Sequence, residues 1–292
     1  MRLKDIFELV LLGALWGSSF LYMRSATPEF GAFALVAVRT GIAALCLLPI
    51  LFLRKKAFVV KQYWRPILFV GLVNTAIPFV MFSYSTVLLG AGMASILNAT
   101  APMFGAIVAF LWLKERLNEL AVFGLFIGFS GVVVISLVRT GVELHMSILP
   151  ILAALGSTFA YGIAVCYTKK HLTGINTLAI ATGSQVFATL ALIPFAVVLW
   201  PQQMPSTHAW LQVVVLGVAC TGFAYILYFR LIANIGASKA ITVAYLVPVF
   251  GVLWGALFLQ EVVTLGMLLG AGLILLGVSL TTGVIKFKLK LA

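Results

Sequence analysis

Ten apolar stretches, each long enough to cross a bilayer as a helix, follow one another through this 292-residue chain with short polar joints between them. A hydrocarbon core about 30 Å thick needs about 17 to 25 helical residues to span it. The stretches cover residues 6–23, 32–53, 65–87, 91–113, 119–138, 147–167, 175–199, 209–230, 237–259 and 263–284. No water inside that core can satisfy a stray N–H or C=O, so each stretch is read as an α-helix that closes its own backbone hydrogen bonds. Hydrophobic residues make up 63% of the chain and charged residues 9%, and the mean hydropathy is +1.18. That leaves too little polar surface to clothe a soluble domain. The expected class is an all-α polytopic membrane protein with ten transmembrane helices and no soluble domain outside them.

A segment of the chain recurs. Gly90-Ala91-Gly92, Pro102-Met103-Phe104-Gly105 and Glu115 return as Gly236-Ala237-Ser238, Pro248-Val249-Phe250-Gly251 and Glu261, all at one offset of 146 residues. A weaker match, which needs one deletion, sets Ala14-Leu15-Trp16-Gly17-Ser18-Ser19-Phe20 against Ala154-Leu155-Gly156-Ser157-Thr158-Phe159. The expected units are residues 1–140 and 141–292, with five helices each. An odd number of crossings turns the second unit over relative to the first, which makes the pair an inverted-topology repeat. Two related halves that can exchange inward and outward conformations point to a transporter.

The formal charge of +12 follows topology. With the N-terminus inside, the cytoplasmic joints receive Arg2, Lys4, Arg54, Lys55, Lys56, Lys61, Arg65, Lys114, Arg116, Lys169, Lys170, Arg230, Lys239, Lys286, Lys288 and Lys290, and the opposite side receives Arg24 and Arg139. This positive-inside bias puts both termini in the cytoplasm. Basic residues spread along membrane edges form no folded basic face, so nucleic acid is not an expected partner. The first stretch has a basic lead in Arg2 and Lys4, but no small-residue cleavage site follows Tyr22, so it is expected to remain in the protein. Cys46, Cys166 and Cys220 fall inside spans and read as packing residues, matching neither a disulfide framework nor a spaced metal site. His145, His171 and His208 lie apart near joints, and no paired carboxylates mark a catalytic site, so no enzyme activity, metal or cofactor is expected. No phosphate-cradling glycine motif marks an ATPase.

Arg39 is the exception to the charge distribution, because it lies several residues inside the second stretch. A guanidinium at that depth must face the bundle interior, pair with polar groups or reach an interface. Pro102 and Pro248 sit deep in stretches four and nine, where a missing backbone donor bends a helix or frees a carbonyl beside a cavity. Arg39, Pro102 and Pro248 are therefore read as a gating or polar-network set. Gly124, Gly128 and Gly131 in stretch five, and Gly266, Gly270 and Gly277 in stretch ten, permit close backbone approach. Those two helices read as scaffold or as a homodimer contact. Tyr63, Trp64, Trp200 and Trp210 fall at span ends, as interfacial aromatics do.

Leu15-Trp16-Gly17-Ser18-Ser19-Phe20, the surroundings of Arg39, the run from Ala94 to Pro102 through Glu115, and the run from Ala240 to Pro248 with Glu261 together resemble the drug/metabolite transporter superfamily, specifically the EamA-type bacterial permeases. The resemblance covers nearly the whole chain. It implies a ten-helix carrier of the bacterial inner membrane working by alternating access, often exporting amino acids, related metabolites or small toxic compounds. In such proteins helices one, three, four, six, eight and nine enclose the cavity, which brings Trp16, Ser19, Asn74, Phe79, Tyr84, Asn98, Tyr161, Tyr225, Tyr245 and Trp254 into consideration. The expected substrate-cavity residues are Trp16, Tyr84, Asn98, Tyr161, Tyr245 and Trp254, whose rings suit an apolar or cationic portion while an amide or phenol holds a polar head. The expected partners are a small-molecule substrate and the lipid bilayer. Multidrug efflux, and a non-transporting membrane assembly role, are the alternatives. Seven acids, none at a span centre, leave proton coupling, uniport and exchange all open.

Overall fold

The computed structural model describes residues 2–139 and 148–284. Glu143, His145, Lys286, Lys288, Lys290 and the expected junction between repeats at 140/141 lie outside these residues. Helices carry all the apolar stretches: α1 Leu3–Phe30, α2 Ala32–Leu53, α3 Trp64–Leu89, α4 Ala91–Leu113, α5 Glu119–Arg139, α6 Ile148–His171, α7 Thr177–Val198, α8 Thr207–Ile235, α9 Val243–Leu259 and α10 Leu265–Thr281. A short helix, Ala57–Gln62, joins α2 to α3, and another, Ala237–Ala240, leads into α9. The first eight are long and apolar enough to cross a bilayer, while α9 and α10 are shorter apolar helices of 17 residues each. This is an all-α polytopic membrane protein with multiple apolar helices.

The helices overrun the hydropathy in places, for local reasons. α1 continues past residue 23 through Arg24 and Glu29 because a helix end at the bundle rim tolerates charge. It stops at Gly31, whose φ of +72° turns the chain and whose N–H bonds Thr27 O at 2.8 Å. α4 is interrupted at Ala99–Thr100, just ahead of Pro102, which has no N–H for the preceding turn. The break before α9 falls at Ile241–Thr242, six residues ahead of Pro248, and Pro248 itself lies inside a continuous helix.

α1 packs on α9 and α6 on α4; α3 lies against α6 and α8 against α1; α2 pairs with α7 and α5 with α10. The α5–α10 pair is held by backbone contact. A Cβ placed on Gly124 would fall 2.7 Å from Gly277 O, and one on Gly131 would fall 2.7 Å from Gly270 O. Gly124, Gly128 and Gly131 therefore meet Gly270 and Gly277 within a single chain.

One end of the bundle, here the near end, holds the start of α1 against the end of α8 through Arg230 and Glu8 (2.7 Å), and the ends of α4 and α6 together through Lys169 and Glu115 (2.6 Å). At the far end Glu29 of α1 accepts the Ser206 amide ahead of α8 at 2.6 Å, while Phe30 packs edge-on to Trp200 and Trp210. The central core between these ends is built from Phe20, Leu35, Phe82, Leu97 and Met103.

Candidate functional site

Arg39 sits about two turns into α2, only 4% exposed. Gly217 brings α8 against it. A Cβ at Gly217 would lie 3.0 Å from Arg39 O and 2.7 Å from Ile42 Cβ, so a larger residue would push α8 away from α2. Beyond Gly217 the helix widens into π turns over Val218–Phe223, which frees a carbonyl and re-aims the side chains. Thr221 donates its hydroxyl to Leu216 O at 2.8 Å and accepts from Arg39 Nε at 3.0 Å. Arg39 Nη1 reaches Met23 Sδ at 3.5 Å, and the guanidinium carbon stands 3.9 Å from the centre of the Phe79 ring. Tyr161 and Tyr225 lie within electrostatic reach. Among the described residues no carboxylate forms an ion pair with Arg39. Its charge is met by a hydroxyl, a thioether and an aromatic face, and the last is worth about 2 kcal/mol when desolvated.

The 146-residue offset extends to this centre. Gly71, Thr75 and Phe79 on α3 correspond to Gly217, Thr221 and Tyr225 on α8, and Arg39 on α2 corresponds to Gln185 on α7. α3 carries its own π turns at Leu72–Ala76, and a Cβ on Gly71 would lie 2.8 Å from Ser184 O, the same close approach made to a different helix. The chemistry differs. Gln185 is fully buried, and neither end of its amide finds a hydrogen-bond partner among the described residues. Thr75, Thr182 and Ser184 have buried hydroxyls in the same condition.

Beside this polar seam a mainly apolar cavity of about 260 Å³ lies between α3, α6, α7 and α8, its wall of Val165, Ile180, Phe229 and Ile232 among others interrupted by polar groups of Asn74, Thr168, Thr177, Ser184, Tyr225 and Tyr228. Thr168 and Thr177 stand at the near ends of their helices, so the cavity is a vestibule from that end. Tyr225 belongs both to its wall and to the surroundings of Arg39. A second cavity of about 310 Å³ is bounded only by apolar side chains, Phe33, Ala76, Val80 and Phe195 among them, and offers no hydrogen bond to a polar solute.

The residues expected from sequence fall in several places. Tyr161 is half-buried near Arg39, its ring stacked on Phe82 with centroids 6.2 Å apart. Trp16 is half-buried against Tyr228, which lines the vestibule. Asn98 is half-buried at the end of the first part of α4, directly before the break. Trp254 donates its indole N–H to Ala14 O at 3.1 Å and stacks on Phe250. Tyr245 meets Thr282 beyond the end of α10, oxygen to oxygen at 3.2 Å. Tyr84, on α3, is 37% exposed. Pro102 is half-buried and Pro248 buried. Of the histidines, His171 lies tilted against Tyr167, ring centroids 4.4 Å apart, and His208 lies in the first turn of α8. Thr221, Met23 and Gln185 were not anticipated; the signal that could have found Thr221 and Gln185 is the same offset carried back to residues 39 and 75.

The EamA-like transporter family matches this chain twice, over residues 4–137 and 148–283. An uncharacterised transporter of Archaeoglobus fulgidus is 28% identical over 281 residues, covering 94% of this chain and 98% of that protein. A probable terminal-alkyne amino-acid exporter of Streptantibioticus cattleyicolor is 25% identical over 281 residues, covering 95% and 93%. A solved crystal structure superposes with a TM-score of 0.69 at 18% identity over 97% of this chain and 98% of that one, a likeness of fold. The chain belongs to the EamA-like transporter family of the drug/metabolite transporter superfamily and is a multi-pass, membrane-embedded secondary transporter of small molecules, not an enzyme.

Proposed function

We propose that this protein exports amino acids or other small amphipathic metabolites across a bacterial inner membrane by alternating access, as ten spans arranged in two inverted units, 1–140 and 141–292. The observation that carries the reading is the amphipathic vestibule at the near end, apolar with a few polar groups, joined through Tyr225 to the buried Arg39. Lys61, Arg65, Lys114, Arg116, Lys169 and Lys170 flank the helix ends at that same end. By the positive-inside rule the near end and both termini are cytoplasmic, and the vestibule is a loading site. Exchanging each helix of one unit for its counterpart in the other preserves the packing pairs, as an inverted repeat requires. Substrate enters among Asn74, Ser184, Tyr225 and Tyr228, and its polar head moves toward Arg39 and Tyr161. Trp16, Asn98, Tyr245 and Trp254 close around it as α4 and α9 move at Pro102 and Pro248. The amino-acid exporter among its relatives supports this substrate class.

The second reading, efflux of apolar toxic compounds, draws on the wholly apolar cavity beside Phe33 and Phe195. Timed uptake into sealed proteoliposomes, using an isotope-labelled panel of amino acids, metabolites and lipophilic cations with and without a pH gradient, separates the two. Protein-dependent accumulation of an amino acid is the expected result, and accumulation of lipophilic cations alone favours efflux. If nothing moves, the export reading for these solutes fails.

A further inference from the structure

α4 and α9 end in the same way. Lys114 and Gln260, one offset apart, both take left-handed backbone, with φ of +60° and +55°. The amide of the next residue then reaches back six positions in each case, Glu115 N to Ala109 O at 3.2 Å and Glu261 N to Gly255 O at 3.1 Å. The turns before the two helices also match, with φ of +89° at Gly90 and +82° at Gly236. In all these details the two halves are copies. They part at the carboxylates.

At the far end Glu261 closes on the start of α4. The Ala91 amide donates to its Oε1 at 2.7 Å and the Gly92 amide to its Oε2 at 2.9 Å. The fit requires small residues, since a Cβ on Gly90 would lie 2.7 Å from Oε1 and one on Gly255 would lie 2.5 Å from Oε2. At the near end the equivalent carboxylate does not close on the equivalent turn. Glu115 pairs with Lys169 on α6 at 2.6 Å, and a Cβ on Gly236 would meet nothing within 4 Å among the described residues. The helices follow the carboxylates. The first part of α4 packs along α9, whereas its second part turns away onto α6 and α10. Meanwhile Ala240 and Val243, at the start of α9, pack with Leu12 of α1 and Leu227 of α8.

We propose that Glu261 and Glu115 are alternating latches that set which end of the transporter is open. In the conformation seen here Glu261 holds the far end shut, and Lys169 keeps Glu115 off the Gly236 turn, so the near end stays open. In the opposite conformation Glu115 leaves Lys169 and accepts the backbone amides after Gly236, as Glu261 does after Gly90, while Glu261 lets go. The two carboxylates act by positioning helices and touch no substrate. Lys169 gives the exchange a bias, because Glu261 has no basic competitor: among the described residues its partners are the two amides. A two-state element of this kind shifts by the difference in what each state offers the same group.

The inference rests on the alternating-access reading, but its test needs no substrate. Spin labels on the exposed near-end positions, introduced as Arg116→Cys and Lys239→Cys in a Cys46→Ala, Cys166→Ala, Cys220→Ala background, report the separation of α4 and α9 in nanodiscs by double electron–electron resonance. The expected result is that Lys169→Gln raises the short-distance population by about two- to fivefold relative to the long one, the shift an exposed ion pair can supply. Glu261→Gln is expected to shift it the same way, and Glu115→Gln to leave only the long distance. Lys169 is exposed, so its substitution keeps the test decisive should a glutamate variant fail to fold. Unchanged distributions in Lys169→Gln, or equal shifts in Glu115→Gln and Glu261→Gln, overturn the latches. An absence of transport in the uptake panel together with opposite shifts here would sink the substrate assignment and leave the switch standing.

Discussion

Arg39 with Thr221 and Gln185 with Thr75 occupy equivalent places in the two halves, each at π turns that a glycine brings against a neighbouring helix. The first pair is satisfied and charged, with Nε on the hydroxyl at 3.0 Å and a ring beneath the guanidinium. The second is neutral and, among the described residues, unpartnered. A buried charge without a counter-ion costs several kcal/mol, and an orphaned amide about 1 to 3 kcal/mol. Neither is expected of a duplication selected for stability alone. The duplicated backbone thus supplies two stations, and substitution has made one cationic. On the export reading proposed above, a substrate crossing between the halves would leave a neutral polar lining for one bearing a charge, a path suited to solutes with an anionic or zwitterionic head.

The harshest way to break that contrast is Arg39→Gln, which gives both stations the same side chain. Hydrogen bonds to charged groups contribute about 1.5–3 kcal/mol, so proteoliposome uptake is expected to fall by about one to two orders of magnitude. Thermal unfolding in detergent should be unchanged or shifted upward, because a buried ion is being removed. Transport retained alongside a lowered Tm would instead make Arg39 a packing bolt.

Next in size is Thr221→Val. It keeps the shape and removes the oxygen that Arg39 Nε donates to, leaving a buried charged donor unmet. A loss of about 1–3 kcal/mol is expected, read as a lowered Tm. Arg39→Gln and Thr221→Val combined should cost less than the sum of the two, since the second change then strands no charge.

Much of this arrangement was legible in the sequence, and what escaped did so for identifiable reasons. The spans announced themselves because a bilayer forbids anything but a long apolar helix or a closed barrel. Arg39 stood out as the one cation deep in such a run, and the shared offset was plain where Gly, Pro and Glu recur. It faded at residues 39 and 79, where Arg answers to Gln and Phe to Tyr, although the π turns of both halves begin at equivalent positions, Leu72 and Val218. The π turns left no trace in hydropathy. Tyr84 illustrates a further limit: in a helix apolar all round, periodicity does not tell the face toward the bundle from the face toward lipid. Pro102 and Pro248 share the offset, yet the breaks in their helices fall at different distances from them, so proline alone does not locate a hinge.

The gentlest test works on the neutral station. Thr75→Val removes a buried hydroxyl with no partner among the described residues, and Gln185→Leu removes an amide in the same condition. Taking such groups away is neutral or stabilising by up to about 1 kcal/mol, opposite in sign to Thr221→Val at the equivalent position. The matched pair Thr75→Val and Thr221→Val, compared by Tm in one detergent, therefore isolates what the guanidinium demands of its neighbour, since backbone, burial and substitution are alike at both sites. Equal destabilisation at the two positions would mean that both hydroxyls are held by comparable interactions, and the chemical asymmetry between the halves would be lost. If Gln185→Leu instead raises Tm while lowering uptake, the orphaned amide is kept for the solute that passes it, and the neutral station joins Arg39 in the transport path.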